Sequence, residues 1–251
     1  MKSIKIEFKA GFMRRISVML IILFSFCGLA QKTDPPRANG VAGGELDAVL
    51  AQMDKAAQNF KSVQADFQWD QYTKVVNDTD VQKGQLYLQR HGNDVEAGVM
   101  ITAPSTRQVV FKDGKVRMYE PKIDQITERA VGKNKADVES FMRLGFGERG
   151  HDLLKSYEVK MDGWETVDGV KTAKLELVGT PSSNIRNLFS KIIWWIDPEH
   201  DVSLRQQLFQ LEPAGNYRLA HYSNIKVNAK PSQDFFHIRT TSKTKVVVMN
   251  P

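Results

Sequence analysis

The period of the apolar residues changes from helical to strand-like near residue 61. Upstream of this point, apolar side chains recur every three or four positions, which predicts an amphipathic helix over 45–60. These side chains are Leu46, Val49, Leu50, Met53, Ala57 and Phe60. Downstream, Val63, Ala65, Phe67 and Trp69 alternate with polar residues, which predicts a strand with one apolar face. The pattern therefore predicts a helix that leads directly into a β structure.

Alternating segments joined by short turns continue through most of the remaining chain. Asp113-Gly114 and Asp168-Gly169 are typical of hairpin turns, so neighbouring segments are expected to pair antiparallel. Segments 135–146 and 151–156 have a helical spacing instead and interrupt this meander. About eleven strands are predicted, over 63–70, 81–90, 95–101, 109–111, 116–119, 126–131, 157–164, 172–178, 191–197, 202–211 and 217–227. Two further apolar runs, 235–238 and 246–248, are candidates for pairing at an edge.

This order of elements predicts an α+β fold that is mostly antiparallel β. Strands joined by short turns become neighbours in space, and the twist of so long a sheet makes it curl into a barrel or an incomplete barrel. The amphipathic helices must bury their apolar faces, and the mouth or hollow of the curl is the natural place. Residues 45–251 show no break in composition and are interpreted as a single domain.

The first thirty residues have the three parts of a secretory signal. A basic start is followed by the apolar segment 16–26, which is too short to span a bilayer as a helix. Gly28-Leu29-Ala30 then predicts cleavage before Gln31, with an uncut N-terminal anchor as the alternative. Residues 31–44 are rich in Pro and Gly and are predicted to form a flexible leader. The predicted signal indicates export, and we expect a periplasmic protein.

The signal also changes what net charge and cysteine content mean. Residues 1–30 hold five Lys or Arg and one Glu, so they account for +4 of the net charge of +6 and leave +2 for the remainder. This small excess gives no support for nucleic-acid binding, which needs a sustained basic face. Cys27 lies inside the signal, so the processed chain has no cysteine for a disulfide, a metal or a nucleophile.

No enzyme or metal motif stands out in the sequence. It contains no G-x-S-x-G elbow, no H-E-x-x-H pair and no glycine-rich phosphate loop. The five histidines are scattered, and the acidic residues Asp197, Glu199 and Asp201 occupy a turn with a proline, where a solvated turn is favoured over a metal site. We therefore expect neither catalysis nor a cofactor nor a bound metal.

Several segments together resemble one family. The segments are Asp113-Gly114-Lys115 with Tyr119, Pro121, Gln125 and Thr127; 60–67; Gly84 to Arg90; and 137–144 followed by 157–160. In these segments the chain resembles the outer-membrane lipoprotein carrier LolA and its relatives LolB and the N-terminal domain of RseB. The likeness covers about 46–236 and lies mainly in the order of elements.

The resemblance implies a half-open β-barrel whose helices form a lid over a hydrophobic cavity. It further implies that Arg90, at the end of the second strand, latches the lid to the barrel by hydrogen bonds. The sequence departs from the family at His91-Gly92, which replaces the usual proline, and at Arg117 and Met118, which replace aromatic residues.

The predicted function is that of a monomeric periplasmic carrier, which shields the acyl chains of lipoproteins or a related lipid between the inner and the outer membrane. The resemblance implies two partners, an inner-membrane lipoprotein-releasing transporter and an outer-membrane acceptor. The expected lid residues are Phe141, Met142, Leu153 and Leu154. The expected cavity residues are Phe67, Trp69, Leu86, Leu88, Val99, Ile101, Phe111 and Trp194. Each of the aromatic residues has ordinary core packing as its alternative.

Three other functions compete with this one. A sensor of the RseB type would use the same cavity to report mislocalised lipid, and it needs a second C-terminal domain, for which the roughly twenty residues after the last predicted strand are too few. An acceptor of the LolB type would require acylation of Cys27, which the bulky Phe26 before it disfavours. A hydrolase on an unrelated β scaffold lacks any nucleophile and base at a recognisable spacing.

Overall fold

A computed structural model describes residues 42–92, 94–132 and 135–249 of the chain. The predicted signal and residues 31–41 of the predicted leader lie outside these ranges. The helices are α1 (Ala42–Asn59), α2 (Lys135–Arg143) and α3 (Gly150–Leu153). The strands are β1 (Ser62–Thr73), β2 (Asp78–His91), β3 (Asp94–Ala103), β4 (Arg107–Lys112), β5 (Lys115–Glu120), β6 (Gln125–Ala130), β7 (Tyr157–Val167), β8 (Val170–Gly179), β9 (Phe189–Asp197), β10 (Val202–Gln210), β11 (Tyr217–Val227) and β12 (Lys245–Met249).

All twelve of these strands belong to one open sheet. Its order is β12-β6-β5-β4-β3-β2-β1-β11-β10-β9-β8-β7, and every pair is antiparallel except β12 with β6. Consecutive strands are neighbours from β1 to β6 and from β7 to β11, as local hairpins require, and the pairing of β1 with β11 joins these two halves of the sheet. The predicted class, an incomplete antiparallel barrel with few helices, is confirmed.

The helices cover one face of the sheet, which we call the inner face. In the half formed by β7 to β10, α1 inserts Val49, Leu50 and Met53 between the strands' inward side chains, and the resulting cluster includes Leu175, Ile192, Trp194 and Leu208. Across the open side, α2 contacts β3 in one half and the 3-10 turn Asn184–Asn187 in the other. A single short helix therefore bridges the two walls of the half-barrel.

The helices differ from their predicted bounds. The first begins three residues early, at Ala42, while the other two end at Arg143 and Leu153. Gly145 and Gly147 explain the early end of α2, because both adopt a positive φ (100° and 77°) that a continuing right-handed helix does not allow. Within the described residues, no helix is both long and apolar enough to cross a membrane.

The segment that follows β11 packs on the outer face of the sheet. Phe235 is fully buried there and stacks on Tyr87, with ring centroids 5.6 Å apart. Gly98 makes this contact possible, since a Cβ at that position would lie 2.5 Å from the Phe235 carbonyl oxygen. The Gln108 side-chain amide donates to the same carbonyl at 3.1 Å. The apolar run 235–238 thus covers the outer face, and the run 246–248 lies in the edge strand β12.

Replacing Phe235 by alanine tests how strongly this segment is fastened. A buried Phe→Ala change removes transfer free energy and leaves a cavity, so we expect the free energy of unfolding to fall by about 3 kcal/mol or more. The matched control is Phe236→Ala, because Phe236 is half-buried and meets Tyr87 only edge-on. The free energy of unfolding of Phe236→Ala is expected to fall by only about 1 kcal/mol. Urea denaturation of the processed chain measures both, and equal losses would contradict the described packing.

Candidate functional site

The inner face near the centre of the sheet begins with a stacked aromatic pair. Phe67 and Trp69 lie two residues apart on β1, and their ring centroids are 4.0 Å apart. Alternation places both on the inner face, where Phe67 pairs with Tyr222 of β11 and Trp69 pairs with Ala220. Phe67 is buried and Trp69 is half-buried.

The β2 to β4 wall continues this apolar surface. The strand register pairs Leu86 with Val99, so these side chains share a face. Leu86, Leu88, Ile101 and Phe111 are buried, whereas Val99 is half-buried. The structure therefore brings the predicted residues of β1 to β4 together on one wall, where Trp69 and Val99 keep part of their surface exposed.

Trp194 occupies a different place from the other predicted cavity residues. It lies in the cluster beneath α1 and has no exposed surface. Its indole Nε1 is buried without a hydrogen-bond partner in the described part of the chain. Helix α1 therefore fills the inner face at Trp194 with its own side chains.

The predicted lid residues have unequal roles. Phe141 stacks on Phe189 of β9, with centroids 5.7 Å apart, and both Phe141 and Met142 are half-buried. Leu153 is buried in the cluster with α1. Leu154 follows the last residue of α3 and is 46 % exposed, so it points away from the inner face.

The loop between α2 and α3 docks on β10 by backbone pairing. The Ser203 amide donates to the Gly145 carbonyl at 2.7 Å, and the Gly147 amide donates to the Asp201 carbonyl at 3.2 Å. Between them, the Phe146 ring meets Tyr222 edge-on, with centroids 5.0 Å apart. We call this segment, residues 144–149, the lid loop.

Gln206 of β10 fastens the start of the lid loop. Its side-chain amide donates to the Leu144 carbonyl at 2.8 Å, and it accepts a longer hydrogen bond of 3.4 Å from the Tyr222 hydroxyl. Burial raises the pKa of the Tyr222 hydroxyl, so the group stays protonated and available as a donor. A buried amide with both ends occupied fixes the position of the loop.

Arg90 joins the barrel to both helical segments. Its guanidinium donates to the carbonyls of Ala57 (2.7 Å) and Phe60 (3.0 Å) at the end of α1, and to the Gly147 carbonyl of the lid loop (3.1 Å). Gly147 lies directly against the Phe60 ring, where a Cβ would approach to 2.3 Å, so only glycine brings this carbonyl so close. The guanidinium also lies 5.9 Å from the centroid of the Phe60 ring.

Two buried acids lie beside this contact. Asp201 has no exposed surface, and neither carboxyl oxygen has a hydrogen-bond partner among the described residues. Burial, together with the nearby Glu148 carboxylate, raises the pKa of Asp201 to about 8. Burial also raises the pKa of Glu148, although Arg143 contacts it at 2.8 Å and opposes the shift. The Asp201 carboxyl is therefore mostly neutral at pH 7.

Helix α3 is tied to α1 through an exposed histidine. One ring nitrogen of His151 contacts the Asp54 carboxylate and the other contacts Asp47 at 3.1 Å. These two carboxylates raise the pKa of His151. Helices α1 and α3 are thus directly connected over the inner face.

Arg90, which the family resemblance implied, takes part in the lid contact, whereas Gln206, Tyr222 and Phe146 were not predicted as parts of it. A signal for two of them existed in the alternation of β10 and β11, where Gln206 and Tyr222 occupy inward positions beside Leu208 and Ala220. A polar residue on an apolar strand face requires a partner, and here the partner is the lid loop.

Comparison with solved structures identifies the fold. The chain matches MucB over 81 % of its own length and 66 % of MucB, just under two thirds, with a TM-score of 0.50 and 12 % identity. An uncharacterised conserved protein from Thermus thermophilus matches over 82 % of this chain and 99 % of its own, with a TM-score of 0.51 and 12 % identity. The chain has the LolA-like fold.

Other similarities are more distant. A LolA superfamily protein from Nitrosomonas europaea matches over 76 % of this chain and 97 % of its own, with 16 % identity and a TM-score of 0.38. No protein-family model and no curated protein matches the sequence. The LolA-like fold therefore rests on the arrangement of the strands and helices.

The Arg90 contact in this LolA-like fold is tested by Arg90→Met. Hydrogen bonds from a charged group contribute about 1.5–3 kcal/mol each, so we expect the lid loop to open about tenfold more often or more. Hydrogen exchange of the Gly147 and Ser203 amides measures the opening, with β8 amides as an internal reference. The control is Arg117→Met, which removes an exposed arginine bound to Glu128 on the outer face. Equal exchange in both variants would show that Arg90 does not hold the loop.

Asp201→Asn tests the buried acid. The folded state keeps a proton that the unfolded state loses above about pH 4, so the wild-type stability falls as pH rises from about 4 to about 8. Asparagine cannot ionise, so it removes this pH dependence. We therefore expect the free energy of unfolding of Asp201→Asn, relative to that of wild type, to rise by about 1 kcal/mol or more between pH 5 and pH 8. Asp113→Asn is the matched control, because Asp113 has the same left-handed backbone (φ 52° against 53°) in an exposed turn. Parallel pH profiles of Asp201→Asn and wild type in urea titrations would contradict the assignment.

Proposed function

We propose that this LolA-like protein binds the acyl chains of lipoproteins, or a related lipid, against the inner face of its half-barrel. In this proposal it is a monomeric, non-enzymatic carrier in the periplasm, exported by the signal over 1–30. It takes its cargo from an inner-membrane lipoprotein-releasing transporter and delivers it to an outer-membrane acceptor.

The observation that carries the proposal is the partial exposure of apolar side chains on the inner face of β1 and β3. At Trp194 the face is buried beneath α1, whereas Trp69 and Val99 of β1 and β3 are only half-buried. The helix that bridges the open side, α2, has only nine residues and leaves Phe141 and Met142 half-buried. An apolar surface beneath a short bridging element is suited to a ligand that is itself apolar.

The energetics explain why a carrier needs such a lid. Burial of one acyl chain of about sixteen carbons gains up to roughly 12 kcal/mol, at about 0.8 kcal/mol per CH₂. A protein with that full gain would release its cargo too slowly. If Phe141 and Phe146 bury themselves on the inner face when it is empty, their loss of contact offsets part of the gain. Arg90, which joins β2 to Ala57 and Gly147, then sets the balance between the closed and the loaded state.

A sensor function is the second candidate, and the similarity to MucB favours it. A structure of MucB in complex with MucA is among the similar structures, so that protein has a protein partner. A sensor would use the same inner face for lipid and would change its affinity for a protein when lipid binds. A carrier would instead pass the lipid on to an acceptor membrane or protein.

Val99→Asp tests whether the inner face is the binding surface. A carboxylate beside Leu86 would be buried against the acyl chain, so we expect the affinity for a fluorescent fatty-acid probe to fall about tenfold or more. Val75→Asp is the matched control, because Val75 is 84 % exposed in a turn, and it should bind as wild type does. Thermal melts establish that both variants fold.

Mass spectrometry of the protein purified from a periplasm complements this measurement. Lipid or lipoprotein at nearly one molecule per protein supports the carrier. Protein that carries no lipid and does not bind the probe in its wild-type form contradicts lipid binding altogether.

A further inference from the structure

One arginine lies on the apolar inner face without an acidic partner in the part of the chain that the structure describes. Arg218 of β11 pairs across the sheet with Gln71 of β1 and Leu208 of β10. Directly paired residues point to the same side, so Arg218 shares the inner face with Trp69, Ala220 and Tyr222. It is a charged residue at a position where the strand pattern calls for an apolar one.

The immediate surroundings of Arg218 leave its charge uncompensated. Its guanidinium carbon lies 5.1 Å from the centroid of the Trp69 ring, which is a cation–π contact. Its Nε is buried and has no hydrogen-bond acceptor among the described residues. The side chain as a whole is half-buried, and this burial lowers the pKa of Arg218, with no carboxylate among the described residues to oppose the shift.

Other arginines of the described chain have acceptors. Arg90 binds three carbonyls, Arg117 binds Glu128 at 2.7 Å, and Arg143 binds Glu148 at 2.8 Å. A partly desolvated cation without an anion is unfavourable, and groups perturbed in this way cluster at binding sites. Arg218 therefore has the properties of a binding residue whose partner is not among the described residues.

Its place along the strand suits the polar end of an amphiphile. Arg90 is near one end of β1, where its amide donates to the Lys61 carbonyl, and Arg218 pairs with Gln71 near the other end. From Val63 to Trp69 the strand rises about 3.3 Å per residue, or roughly 20 Å in total. An acyl chain spans half of the hydrocarbon core of a bilayer, about 15 Å. The distance along β1 between the latch and Arg218 therefore matches the length of an acyl chain, which would replace the side chains that now cover Val63, Ala65 and Phe67.

We propose that Arg218 binds the anionic head group of the ligand, a carboxylate or a phosphate, while the acyl chain lies over Trp69 and Phe67. This inference rests on the proposed lipid-binding function and narrows it to acidic amphiphiles. The planar guanidinium can donate two parallel hydrogen bonds to either anion, and it does so best where water is excluded.

The test measures affinity for matched acidic and neutral ligands by displacement of a fluorescent probe from the processed wild-type protein. Palmitate and hexadecyl phosphate carry the two anions on the same chain, and methyl palmitate is the neutral counterpart. We expect at least one acid to bind about tenfold more tightly than the ester or better. The acid that binds more tightly identifies the carboxylate or the phosphate as the natural head group.

Arg218→Met then separates head-group binding from packing. Methionine retains an unbranched apolar chain, so we expect the preference for the acid to disappear while methyl palmitate binds within about twofold of wild type. Arg218→Lys should keep part of the preference, and Arg117→Met, on the outer face, should keep all of it. If Arg218→Met loses affinity for acid and ester alike, the role of Arg218 is structural and the inference is overturned.

The result also distinguishes this inference from the function on which it rests. If wild type binds acid and ester equally well, the result supports lipid binding and contradicts the proposed role of Arg218. If wild type binds none of the three ligands, the proposed function fails first. Should Arg218→Met not fold, the affinities of wild type and Arg218→Lys for acid and ester are compared over a range of salt concentrations. Salt screens only the interaction of the acid with the positive charge, so the affinity for the acid should fall with salt and that for the ester should not.

Discussion

The structure depends on one constraint: an open sheet with an apolar inner face must cover that face with something. A closed barrel covers it with its own far wall, but this sheet has two free edges, at β12 and β7. Helix α1 covers the β7 to β10 half by packing Leu50 and Met53 into the strands. Helix α2 reaches across to β3 of the other half, and the lid loop that follows it is held by β10 and by the guanidinium of Arg90.

The position of Arg90 concentrates a large share of the lid's attachment in one side chain. Its three acceptors belong to two different elements, the end of α1 and the lid loop, so the loop cannot leave β10 without also breaking the Gly147 contact. The buried Asp201 carboxyl lies on the same loop contact, since its backbone carbonyl accepts from Gly147. Ionisation of Asp201 would place an unpaired charge in the space between lid and barrel. The lid contact therefore combines a strong hydrogen-bonding group with a group that tolerates only its neutral form.

Much of the fold could be predicted because the relevant signals are local. The helix before residue 61, the antiparallel order and the hairpins at Asp113 and Asp168 all follow from periodicity and turn chemistry. What could not be predicted depends on contacts between residues far apart in sequence. Phe235 covers the outer face only because Gly98 leaves room for it. The two residues are more than 130 positions apart in the sequence, and no periodic pattern predicts that they meet. Likewise Leu154 was expected on a helix over 151–156, but the helix ends at Leu153, where it packs against α1, and Leu154 stays exposed.

Strand alternation also predicts part of the candidate binding surface on the inner face. Alternation places Phe67, Trp69, Leu86 and Val99 on one side with no knowledge of the fold, and the register confirms that they share a face. The same alternation places Arg218 and Gln206 on that side, where they break the apolar pattern. Gln206 resolves the conflict within the chain, since its amide holds the Leu144 carbonyl. Arg218 has a ring beneath it and no anion beside it, so within the described chain the conflict stays unresolved. A polar residue at an apolar position therefore carries information in two forms: with a partner it specifies the fold, and without one it points to a ligand.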